Sequence, residues 1–104
     1  MIVAEILQRC KAVFESNYQS QFKGLILYGS IARNQTSPAS DIDFLVLLGS
    51  PLDYFRELRT IIELLYPAQL ESEQLISAKP VLVDDFERGA IQLYRHAKRE
   101  GVLV

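Results

Sequence analysis

The chain has 104 residues, of which 49% are hydrophobic, so one globular domain with a real core is expected over residues 1–104 and two are excluded. A formal net charge of −2 provides no basic field for gripping a polynucleotide, which argues against a nucleic-acid polymerase or a tRNA-modifying role. The single cysteine, Cys10, cannot form an internal disulfide, and Glu5, Arg9 and Lys11 interrupt any N-terminal apolar run. Neither secretion nor a membrane span is expected, and a cytoplasmic location is the default.

In chain order, Ile2, Val3, Ile6, Leu7, Cys10, Val13, Phe14 and Tyr18 recur at three- and four-residue spacing. That period predicts an amphipathic first helix ending near Lys23-Gly24, with Cys10 as a reduced core residue. Residues 24–28 then read as a buried strand, and residues 41–48 as a second one that opens with its only two charges, Asp41 and Asp43. Between the strands, residues 34–40 form a polar loop. Ser50 is expected to cap a helix with Pro51 in its first turn and Asp53 reaching back, and Pro67 to stop that helix. Its predicted buried face is Phe55, Leu58, Ile62 and Leu65. Residues 74–81 read as a third strand, and Asp84 to Glu100 as one or two helices closed by Gly101.

The chemistry concentrates in Gly29-Ser30 and Asp41-Ile42-Asp43. A strand alternates its side chains, so Asp41 and Asp43 share a face and repel each other unless a cation neutralises them. Mg²⁺ takes hard oxygen ligands, usually one or two carboxylates together with substrate phosphates and water. Gly29 lets the backbone approach a phosphate, Ser30 offers a hydroxyl, and a helix starting at Ser30 would aim free N–H groups at the anion. Arg33 adds a positive charge, serving either the anion or a surface ion pair. Taken singly, a Gly-Ser is usually a turn and an Asp-x-Asp often a solvated strand start. Together, between two strands, they point to a metal-nucleotide site, and the two common phosphate-loop patterns are absent.

Leu27-Tyr28-Gly29-Ser30-Ile31-Ala32-Arg33, followed by Ser40-Asp41-Ile42-Asp43-Phe44-Leu45-Val46, resembles the signature of the minimal nucleotidyltransferase family in the DNA polymerase beta superfamily. The resemblance covers about residues 24–48, and Arg99-Glu100-Gly101-Val102 is similar to the family's closing helix and strand. It implies an α+β fold, a small mixed β-sheet flanked by helices. It also implies transfer of a nucleoside monophosphate from a triphosphate, ATP, with Mg²⁺ held by Asp41 and Asp43 as the catalytic pair. Gly29, Ser30, Arg33 and Ser40 would contact the nucleotide. Small proteins of this resemblance are paired with HEPN-domain toxins, whose tyrosine they modify with AMP as antitoxins. A contact-only inhibitor and an aminoglycoside-type nucleotidyltransferase are the alternatives.

Two positions depart from the family pattern. Asn34 stands where glycine is usual, a mild change because asparagine tolerates left-handed backbone. Ser77 falls where a third acidic residue often sits, and serine cannot act as a base at neutral pH. Glu71 and Glu73 share its parity and would reach the site only if the strand extended back that far; otherwise they are solvated charges. His96, among Arg95, Lys98 and Arg99, reads as a solvated helix end, and Tyr28 as core.

Overall fold

The computed structural model describes residues 3–29 and 41–104. Helix α1 (Val3–Tyr18) leads through a short 3-10 turn into strand β1 (Phe22–Tyr28). Strand β2 (Ile42–Leu48), helix α2 (Tyr54–Glu71) and strand β3 (Ile76–Leu82) follow. Helices α3 (Val83–Glu87) and α4 (Gln92–Glu100) and the short strand β4 (Val102–Leu103) complete the chain. The sheet runs β3-β2-β1-β4, with β1 antiparallel to both β2 and β4, and β2 parallel to β3. This is the expected α+β fold with a small mixed sheet.

Strand parity divides the core into two. Ile42, Phe44, Val46 and Leu48 of β2 face α1 and α2, where Ile6, Cys10, Phe14, Ile61 and Leu65 cover them. Leu45 and Leu47 face the other way, onto Phe86 of α3 and Ala97 of α4. Because β2 is covered on both faces, its apolar run is unbroken except at the end that carries Asp41 and Asp43. Both carboxylates therefore belong to the α3–α4 side.

Several boundaries differ from the sequence reading. Helix α1 stops at Tyr18 rather than near Lys23-Gly24, because Gln19 turns left-handed with φ of 52° and Phe22 already packs against Phe14, ring centroids 6.4 Å apart. Gly24 lies inside β1, at a register irregularity. Asp53, not Ser50, caps α2, its carboxylate accepting from the Arg56 N–H at 3.3 Å.

Pro67 does not stop α2. Its missing N–H would have bonded the carbonyl of Glu63, and both residues lie on the exposed side, where water can serve that carbonyl. The last turn is anchored from beyond the proline. Ala68 is in the core, the Gln69 amide bonds the Gln74 carbonyl and the Ile76 N–H, and Glu71 pairs with Arg9.

The buried face of α2 is Glu57, Ile61, Leu65 and Ala68, so of the predicted set only Leu65 is in the core. Phe55 and Ile62 point to solvent. The buried stripe includes a carboxylate, which an apolar pattern cannot register. Glu57 is 4% exposed, accepts from the Tyr18 hydroxyl at 3.2 Å and is bonded by the Arg56 guanidinium at 2.9 Å. Among the described residues, no helix is long and apolar enough to cross a membrane.

Candidate active site

β1 and β2 are the antiparallel central strands, and β1 ends where β2 begins, at the same end of the sheet. Tyr28 pairs with Asp43, and Asp43 pairs in turn with Ser77 of β3, which makes one row across three strands on the α3–α4 side. Gly29 follows Tyr28 with φ of +84°, a left-handed conformation that favours glycine. A Cβ there would lie 2.8 Å from Asp43 Oδ2. The carboxylate thus occupies the space that a larger residue would take.

Asp41 immediately precedes β2 and is exposed, while Asp43 is half-buried. Burial raises the pKa of Asp43 above the usual carboxylate range, the negative charge of Asp41 raises it further, and Lys79 partly offsets both. Burial raises the pKa of the Tyr28 hydroxyl, and the negative charge of Asp43 raises it further. Tyr28 is half-buried beside the second core rather than fully within it.

These two carboxylates provide hard oxygen donors with excess negative charge, a donor set that fits Mg²⁺ sharing its remaining positions with phosphate oxygens and water. They do not form a closed protein cage. Among the described residues, no group of three or more histidine, cysteine or acidic side chains could hold a metal. Ser77 does stand opposite Asp43, in the place expected for a third acid. Glu71 is the last residue of α2 and Glu73 lies in the turn after it, so neither is on β3, which starts at Ile76. Ser30, Arg33, Asn34 and Ser40 fall outside the described residues.

The remaining polar candidates are structural. His96 Nε2 lies 3.1 Å from Glu100 one turn on. Cys10 is buried, and burial pushes its thiol pKa up to about 11, which makes it a poor nucleophile. The sequence reading missed Lys79, whose ammonium acts on Asp43. It sits two residues past Ser77 on the same strand, so strand parity alone could have placed it on the site's side.

Residues 7–100 match the sequence profile described as a nucleotidyltransferase domain. The chain belongs to the nucleotidyltransferase domain family. This nucleotidyltransferase is 38% identical over 69 residues to "Putative protein adenylyltransferase MJ0604" of Methanocaldococcus jannaschii, a match spanning 62% of this chain and 69% of that one. Its fold is similar to a chain in a crystal structure of a mutant form of the toxin–antitoxin pair MntA–HpeT. There the TM-score is 0.61 and the identity 17%, with 100% of this chain and 72% of the other covered.

Proposed function

We propose that this nucleotidyltransferase transfers AMP from ATP to a tyrosine hydroxyl of a HEPN-domain toxin in the cytoplasm, and so acts as its antitoxin. The observation that carries this reading is the contact between Gly29 and Asp43, with Asp41 beside them. It brings a backbone able to approach a phosphate so close to the Asp43 carboxylate that a Cβ on Gly29 would lie 2.8 Å from Oδ2. The curated relative's name, a protein adenylyltransferase, supports a protein acceptor, and the toxin–antitoxin origin of the similar structure supports a toxin.

In this scheme Gly29, Ser30, Arg33 and Ser40 would hold the triphosphate, and Asp41 and Asp43 would hold Mg²⁺. The bound cation would neutralise phosphate charge and orient the α-phosphate for in-line displacement. The acceptor oxygen bonds to the α-phosphorus, the bond to pyrophosphate breaks, and the acceptor proton leaves to solvent. Most of the rate in such transfers comes from positioning and charge stabilisation, so a site without a third acid can still turn over.

The test is to incubate the chain with ATP, Mg²⁺ and a purified HEPN-domain toxin encoded in the same genome, then weigh that partner by mass spectrometry. A gain of one AMP on a tyrosine is expected; an unchanged mass refutes the transfer. The serine opposite Asp43 specifically favours a second reading, in which the domain neutralises its partner by contact alone. Replacing Asp41 and Asp43 with asparagine separates the two, because a contact inhibitor would still neutralise the toxin.

A further inference from the structure

The outer side of α2 and the open edge of the sheet enclose a groove of about 530 Å³ whose lining includes neither Gly29 nor Asp41 nor Asp43. Tyr54, Leu58, Ile62 and Tyr66 recur every four residues along α2 and make one wall, and Leu75 and Lys79 stand on the other. Tyr54, Ile62, Tyr66 and Leu75 are between 41% and 61% exposed, and Phe55 and Leu70 of the same helix are more exposed still. Exposed large apolar side chains are normally scattered. Here most of those among the described residues gather on α2 and the turn after it, which marks a partner surface.

A strand or a helix could fill such a groove, and the edge of β3 decides between them. The Ile42 N–H bonds the Leu75 carbonyl at 2.8 Å. Continuing that parallel ladder turns the backbone of Ser77 and Lys79 toward β2 and that of Ile76, Ala78 and Pro80 outward. The Ile76 N–H is already taken by the Gln69 side chain at 2.7 Å, and Pro80 has no N–H. Of these three, only Ala78 can donate to an added strand, and Lys79 further discourages pairing at the edge. An apolar stripe with a four-residue period instead suits the ridge of a second helix.

The groove adjoins the catalytic row. Ser77 lines the groove and pairs with Asp43, Lys79 lines it and acts on Asp43, and Tyr54 from the α2 wall acts on Tyr28. Strands lie about 4.8 Å apart and β2 is the neighbour of β3, so a side chain entering over the β3 edge must cross about one strand spacing to reach Asp43. The small side chain at Ser77 leaves that path open. A tyrosine is long enough to take it, and a serine is not.

Building on the transferase reading, we propose that the groove docks an amphipathic helix of the acceptor protein. Its apolar face would lie on Leu58, Ile62, Tyr66 and Leu75, an acidic side chain on Lys79, and its tyrosine would pass Ser77 toward Asp43. The test compares wild type with Ile62→Lys and Tyr66→Asp, both at exposed positions, using the same HEPN-domain protein as the probe. Circular dichroism checks folding, calorimetry gives Kd for the probe, a fluorescent ATP analogue reports nucleotide binding, and transfer assays give kcat and KM. Partner Kd and KM should rise at least 30-fold in each folded variant, with nucleotide affinity within 2-fold of wild type.

Docking at this groove is overturned if either folded variant binds and modifies the probe as wild type does. It is also overturned if the wild type does not bind the probe, or if the variants only convert a wild-type dimer to monomers in sedimentation. If the wild type binds the probe without modifying it and the variants lose that binding, the groove stands and the transfer reading falls.

Discussion

Replacing Gly29 with alanine separates backbone strain from the position of a carboxylate. With φ of +84°, an alanine at this position sits in left-handed backbone, at a cost of about 1–2 kcal/mol. For a domain of this size, about 1.5 kcal/mol corresponds to a fall of roughly 6–12 °C in Tm. The added Cβ would also stand 2.8 Å from Asp43 Oδ2. That oxygen is the far end of a short side chain that can swing away, so the clash costs little stability and is expressed as a displaced carboxylate. A displacement of about 1 Å in a reacting geometry costs about 10²-fold in rate. Gly24→Ala is the control, because φ there is +151° but its Cβ would make ordinary contacts with Leu103 and Leu47 at 3.5 and 3.7 Å. Calorimetry together with an AMP-transfer assay should show both variants destabilised, and only Gly29→Ala severely impaired in kcat/KM. If Gly29→Ala transfers AMP within about 3-fold of wild type, the Gly29–Asp43 contact has no part in catalysis.

Cys10 makes stability fall at alkaline pH. Its folded pKa of about 11 lies above the ordinary 9.0, so its contribution is complete below pH 9 and is lost as pH rises to 11, by about 2–3 kcal/mol. Urea melts at pH 7, 9 and 11 should show this loss shrinking in Cys10→Val. Pro67→Ala restores an N–H within α2 and should raise stability by about 1–3 kcal/mol in the same assay. Glu57→Ala removes the acceptor of the buried Tyr18 hydroxyl and should cost about 1–3 kcal/mol, with Glu57→Gln intermediate. Ser77→Asp adds a carboxylate opposite Asp43. Thermal unfolding should find this variant less stable than wild type in EDTA and stabilised more than wild type by Mg²⁺.

The elements themselves were legible because each has a simple period. The α1 stripe of Ile6, Cys10, Phe14 and Tyr18 and the unbroken run of β2 follow from burial on one face and on two. Errors arose where a polar group or a tertiary contact overrode the local signal. Glu57 is buried because Tyr18, 39 residues away, donates to it, and that rotates the core face of α2 off its most apolar stripe. Pro67 lies inside a helix because Gln69 and Glu71 fasten the turn beyond it to β3 and α1. Distant contacts of this kind leave no trace in local spacing.

The site divides along the same line. Gly29, Asp41 and Asp43 are close in sequence and joined through one antiparallel strand pair, so their proximity could be read from spacing, and the family resemblance placed Ser77 on the adjoining strand, where it pairs with Asp43. The acceptor side could not. The groove exists because the face of α2 carrying Tyr54, Leu58, Ile62 and Tyr66 is not the face that packs on the sheet, and because β3 is an edge strand. Both are properties of the assembled sheet. A stripe of large apolar residues reads as core in the sequence, and only its exposure in the fold turns it into a surface. Leu58 and Ile62, which the sequence assigns to packing, are therefore among the residues proposed to select a partner, and Ser77, which stands where the family often has an acid, would be the gap through which that partner's side chain reaches Asp43.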